Sequence, residues 1–93
     1  MAIELDPKIA VVYKNRGDSY YNKSECDKAI ADFNRAIELN PNLAEAYYNR
    51  AVAYFYTKKY DEAWDNVYKA LNLGYKVRPA FFHDLRQASG QEK

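Results

Sequence analysis

The sequence predicts an all-α chain of antiparallel helix-turn-helix repeats closed by one further helix, and three observations carry that prediction. The chain repeats itself at an offset of 34 residues: Ala36-Ile37-Glu38-Leu39-Asn40-Pro41 returns almost unchanged from Ala2-Ile3-Glu4-Leu5-Asp6-Pro7. The same offset relates Tyr13 to Tyr47, Asn15-Arg16 to Asn49-Arg50, Tyr20 to Tyr54, Asp27 to Asp61, Ala29 to Ala63 and Ala36 to Ala70. Self-similarity at a fixed period of this size marks a stacked array of supersecondary units, and such arrays build extended binding surfaces. Apolar residues recur at spacings of three and four along both copies, the period of a helix face, and no alternating β-branched run argues for a strand. Asp6-Pro7 and Asn40-Pro41 interrupt the pattern at equivalent places, because proline disfavours the α conformation in the residue before it.

Taken in order, residues 1–7 match only the closing turns of a preceding unit. They are expected to be the end of a truncated repeat, which makes the chain the C-terminal piece of a longer array. The first full repeat covers 8–43. Its first helix runs from Lys8 to Asn22, with Ile9, Val12, Tyr13, Tyr20 and Tyr21 around a small Gly17. Its second helix runs from Asp27 to Leu39, with Ala29, Ile30, Phe33, Ala36 and Ile37 on one stripe. The second repeat covers 44–77 on the same plan: Ala46, Tyr47, Ala51, Tyr54 and Phe55, then Ala63, Trp64, Val67, Ala70 and Leu71. Each proline is expected to open the segment that follows it. Asp27 and Asp61 stand where the second helix of each pair begins, favourable for capping and for the helix dipole. Gly17 with Ala51, and Ala29 with Ala63, are the small residues that let paired helices approach. Gly74 is placed to end the fourth helix in a left-handed cap. Residues 78–93 are expected to form a capping helix, from Pro79 to Ala88 with Phe81, Phe82 and Leu85 as its apolar residues, and a tail from Gly90 onward that is expected to fray.

Composition narrows the function classes. Fourteen basic residues oppose 13 acidic ones with no basic stripe, so neither nucleic acid nor an anionic membrane gains support. No stretch is apolar enough to span a bilayer and no signal-peptide pattern opens the chain, so the expectation is a cytoplasmic protein. A single cysteine, Cys26, offers neither an intramolecular disulfide nor a metal cluster; it reads as a packing residue. His83 is the sole histidine, and its neighbour Asp84 points elsewhere on a helix, so they form no dyad. With no phosphate loop or metal-ligand spacing either, no catalytic residue, cofactor or metal site is expected.

These residues make the chain resemble the tetratricopeptide repeat (TPR) family, whose unit is a 34-residue helix-turn-helix. The signature falls at Tyr13, Gly17, Tyr20, Ala29, Phe33, Ala36 and Pro41, and again at Tyr47, Ala51, Tyr54, Ala63, Val67 and Ala70. Departures are local: Val67 for an aromatic, Tyr75 for the closing proline, Cys26 for a tyrosine, and Ser24 and Lys58 where the turn between helices usually has glycine. The resemblance implies a right-handed superhelix whose first helices line a concave groove for a peptide or partner protein.

Carried over position by position, the groove residues are Val11, Lys14, Asn15, Asp18, Tyr21 and Asn22 from the first repeat. The second gives Glu45, Tyr48, Asn49, Val52, Phe55 and Tyr56, and the capping helix adds Phe82 and His83. Tyr21, Tyr48, Phe55 and Tyr56 are aromatics on a face that would otherwise be solvated. Asn15 and Asn49 recur one repeat apart, and an asparagine amide can bond a peptide backbone as donor and acceptor. Tyr13, Tyr20, Tyr47 and Tyr54 read instead as packing residues. Some family members clamp the C-terminal carboxylate of heat-shock chaperones. Here Lys14 and Asn49 fit that clamp, but Asp18 replaces its asparagine, and Pro79 and His83 stand where two cations belong, so the clamp is rejected. Two other readings stay open. One is self-assembly, as a homo-oligomer through an uncapped N-terminal face at Ile9, Tyr13 and Tyr20. The other is a minimal or engineered repeat fragment without a specific ligand.

Overall fold

The computed structural model describes residues 7–90. The expectations for residues 1–6 and for the tail 91–93 lie outside the described residues. Five helices follow one another: α1 (Pro7–Asn22), α2 (Cys26–Leu39), α3 (Ala44–Tyr56), α4 (Tyr60–Asn72) and α5 (Pro79–Ser89). No strand occurs among the described residues. α1 pairs with α2 and α3 with α4; α2 packs on α3 to join the two hairpins, and α1 and α3 touch along a narrower line.

The turns explain why the pairs are antiparallel. α1, α3 and α4 all end in the same closure, in which the second residue after the helix turns left-handed and two amides reach back to orphan carbonyls. Glu25 N–H bonds Tyr20 O at 2.8 Å and Ser24 N–H bonds Tyr21 O at 2.9 Å. Lys59 and Lys58 repeat this with Tyr54 and Phe55, and Tyr75 and Gly74 with Ala70 and Leu71. Only the last closure uses glycine, at φ 92°; Ser24 and Lys58 both hold φ 63°, a conformation that costs a side-chain-bearing residue about 1 kcal/mol or more. α2 ends differently. Asn40 turns extended, and its side chain accepts the Asn42 N–H at 3.1 Å.

Three local expectations need correction. Pro41 lies in this turn and does not open α3, which begins at Ala44. Asp27 and Asp61 are not the N-cap residues: they sit in the first turns of α2 and α4, where their charge meets the dipole, behind Glu25 and Lys59, whose side chains make no cap bond. Gly90 does not fray; at φ 69° its N–H bonds Arg86 O at 2.9 Å and closes α5.

The core is two adjoining clusters. Ala29 and Phe33 of α2 receive Ala53 of α3, which knits the repeats together. Ala51, Ala63, Trp64, Val67 and Leu85 form the second, with Phe81 and Phe82 against it. Trp64 is fully buried, and its indole N–H reaches Ser89 Oγ at 3.3 Å, so α5 is held by both packing and a hydrogen bond. A polar pair runs beside each cluster. Arg16 grips the buried Asp32 with two bonds of 2.6 and 2.7 Å, and Arg35 adds a third at 2.6 Å. One repeat later Arg50 bonds Asn66 at 2.7 Å and reaches across to Asn34 of α2 at 2.8 Å.

Candidate functional site

α1 and α3 run side by side on one face of the molecule, and the first turn of α5 follows them. Side chains at spacings of three and four on α1 and α3 share that face. Between them lie three neighbouring hollows. One of about 410 Å³ is bordered by Asp18, Tyr21, Asn22, Glu45, Tyr48, Asn49, Val52 and Arg78, with the buried Phe33 at its floor. A second, of about 290 Å³, shares Tyr21, Tyr48, Val52 and Arg78 with the first and adds Phe55, Tyr56, Ala80, Phe81 and Asp84. A third, of about 520 Å³, lies between Tyr21, Asn22, Ser24, Cys26 and Tyr56. Tyr21 borders all three, so they form one discontinuous groove.

Aromatic contacts build its wall. Tyr48 stacks on Tyr75 with ring centroids 4.8 Å apart and meets Phe81 edge-on at 5.5 Å. Phe55 touches Phe81 at 5.7 Å and Tyr56 at 5.1 Å, and Tyr21 leans on Tyr56 at 5.7 Å. Burial pushes the Tyr21 hydroxyl well above the ordinary tyrosine range, and its hydrogen bond with Tyr56 adds to this; Tyr75 rises for want of solvent too. Tyr21 and Tyr75 are therefore neutral at physiological pH, and a tyrosine wall of this kind is apolar with polar tips.

The polar end is a small network. Asn49 Nδ2 donates to Asp18 Oδ1 at 2.7 Å, and Lys14 Nζ bonds Glu45 and lies 3.6 Å from Asp18 Oδ2. Burial lowers the Lys14 ammonium, but its bond to Glu45 and the charges of Glu45 and Asp18 outweigh that and leave it raised. Asp18 is raised above the usual carboxylate range, first by burial and then by Glu45, against the pull of Lys14.

The residues expected from the sequence distribute unevenly. Asp18, Tyr21, Asn22, Tyr48, Asn49, Val52, Phe55 and Tyr56 border the hollows. Lys14 sits beside them, engaged with Glu45, while Asn15 is exposed on α1 and borders none of the three. Phe82 and His83 do not join the groove. Phe82 packs on Trp64 at 6.3 Å and His83 is exposed, whereas Ala80, Phe81 and Asp84, on the other face of α5, line it. Arg78 was missed, standing one residue before the helix. The Arg16–Asp32 and Arg50–Asn66 pairs were missed too, though both the arginines and their partners recur at the 34-residue offset. Among the described residues, no group of His, Cys, Asp and Glu could hold a metal ion, and no helix is long and apolar enough to cross a membrane.

Two family models match the chain: one described as TPR repeat over residues 17–58, and one described as Tetratricopeptide repeat over residues 44–73. Together they run from 17 to 73, more than half of the sequence. Curated proteins yield no match. Among solved structures, the first TPR of Spaghetti (RPAP3), bound to the HSP90 peptide SRMEEVD, is similar at TM-score 0.74 and 26% identity over 96% of this chain and 67% of that one. YrrB, described as a TPR protein with an unusual peptide-binding site, gives TM-score 0.74 and 30% identity over 85% of this chain and 40% of its own. The N-terminal domain of stress-induced protein-1 (STI-1) from C. elegans gives 0.72 and 25% identity over 94% of this chain and 67% of that domain.

Proposed function

This chain belongs to the tetratricopeptide repeat family, and from that premise we propose that it is a protein-interaction module whose α1–α3 groove binds a peptide segment of a partner protein. One observation carries the reading: an aromatic wall of Tyr21, Tyr48, Phe55 and Phe81 borders the hollows beside a hydrogen-bonding amide, Asn49. An apolar concavity with a few convergent polar groups is the usual form of a recognition site. Two of the similar structures are described as holding or having a peptide site, which supports the same reading. In this reading Tyr21, Tyr48, Val52, Phe55 and Tyr56 contact ligand side chains, and Asn49 and Asn22 bond its backbone. Lys14 and Asp18 set the charge at one end, and Asn15, outside the hollows, has no direct part.

The test is binding of the folded chain to an array of amide-blocked octapeptides, repeated with Tyr48→Ala/Asn49→Ala. Loss of all peptide capture, with helicity by circular dichroism retained, is the expected result. Because Tyr48 also packs on Tyr75 and Phe81, Val52→Trp serves as a second variant: it fills the hollow without removing a contact. Unchanged capture by both variants contradicts the reading.

Self-association is a second reading, favoured by Ile9, Val11 and Val12, which leave α1 43%, 40% and 62% exposed. Tyr13 and Tyr20 contribute less than expected, because both are half-buried under cations: Arg16 lies 5.4 Å from one ring and 6.0 Å from the other.

A further inference from the structure

Among the described residues, three carboxylates but only one cation line the groove. Asp18 and Glu45 border the first hollow and Asp84 the second, while Arg78 is exposed at their junction. The nearby ammonium of Lys14 is already committed to Glu45. A single bond from Asn49 and the more distant Lys14 leave Asp18 Oδ2 with room for another donor. Asp18 is held against burial and against Glu45, so an arriving cation relieves both. Tyr21 and Tyr48 border the same hollow, and aromatic rings favour a nearby cation. At the other end Val52, Phe55 and Phe81 supply apolar surface, with Asp84 beside them.

Resting on the peptide-binding reading above, we infer that the groove selects a segment carrying a lysine or arginine at the Asp18–Glu45 end and an apolar side chain at the Val52–Phe81 end. It discriminates against acidic segments. Arg78, at the junction, serves the carbonyls of the bound backbone. Selection of this kind acts as much through the unpaired like charge met by the wrong ligand as through the pair made with the right one.

The experiment titrates the full chain against fluorescein-labelled, amide-blocked octapeptide pools that share leucines and differ in carrying lysines, serines or glutamates. Affinity is read by fluorescence anisotropy. The lysine pool is expected to bind about tenfold tighter than the glutamate pool, the size expected when a partly buried pair replaces a like-charge contact. Asp18→Asn, which still offers an acceptor to Asn49, should narrow that ratio to about twofold. Glu45→Gln should narrow it as well, which covers the case in which Asp18→Asn folds poorly. A glutamate pool that binds as tightly as the lysine pool, or a ratio unmoved in both variants, overturns the inference. Equal binding of all three pools leaves peptide recognition standing and removes only the charge selection. Binding of none removes both.

Discussion

At the residue scale, Gly17 and Phe33 meet at a contact that admits no methyl group. A Cβ on Gly17 would lie 2.5 Å from Cε1 of Phe33, and Phe33 is fully buried. One repeat later the pair is Ala51 and Val67, both fully buried in one cluster: a methyl group has been gained on one helix and an aromatic ring lost from the other. The two repeats thus solve one packing problem with compensating volumes. Gly17→Ala should therefore destabilise by about 1–2 kcal/mol in urea denaturation, the overpacking cost exceeding the gain in helix propensity. In the Phe33→Val background the same change should stabilise, by roughly the propensity difference of 1 kcal/mol. An unchanged sign would mean that the two positions do not couple. Asp32 makes a second residue-scale prediction. Its bonds from Arg16, and then from Arg35, hold its carboxyl below the ordinary 3.8 against the opposing effect of burial. The native state therefore binds fewer protons there than the unfolded state. Stability contributed by the ionised group is complete above that ordinary value and is lost as pH falls below it through the native value. Acid titration of the thermal midpoint should show this fall, and Asp32→Asn, which copies the Arg50–Asn66 pair, should flatten it.

At the element scale, the helix closures are the weak points. Ser24 and Lys58 occupy the left-handed position that Gly74 fills without strain. Ser24→Gly and Lys58→Gly should each stabilise by about 0.5–1 kcal/mol, the relieved strain exceeding the added freedom of the unfolded chain. Gly74→Ala, at φ 92°, should lower stability by a similar amount. Thermal melts of the three variants check the pattern. These closures also show what was legible in the sequence. Helix positions could be read because the 3–4 apolar spacing and the prolines act locally, and α5 was expected within one residue of its observed end. The turn geometry could be anticipated only as a departure, since nothing local marks a serine as left-handed until two flanking helices force it. The groove face of α5 was harder. Which of Phe81 and Phe82 faces inward depends on how a helix outside the 34-residue register docks, and Trp64 settles that by claiming Phe82.

At the scale of the whole molecule, two stacked hairpins place α1 and α3 together, with the turn and first residues of α5 completing the hollow. Nine expected groove residues, Glu45 among them, meet there because one period governs both helices. Asn15 does not, although it recurs with Asn49, because the second member of that pair faces α1 and the first has no helix on its open side among the described residues. Sedimentation of the chain across a concentration series should show association that Ile9→Ser/Val12→Ser abolishes and Tyr48→Ala/Asn49→Ala leaves intact; a monomer at every concentration removes the self-assembly reading. Groove recognition is the central claim, and backbone amide chemical-shift mapping tests it most directly. On addition of the lysine–leucine octapeptide pool, shifts should concentrate at Tyr21, Tyr48, Asn49, Val52 and Phe81. Shifts confined instead to the outer faces of α2 and α4, around Arg35, Tyr68 and Leu71, would contradict it.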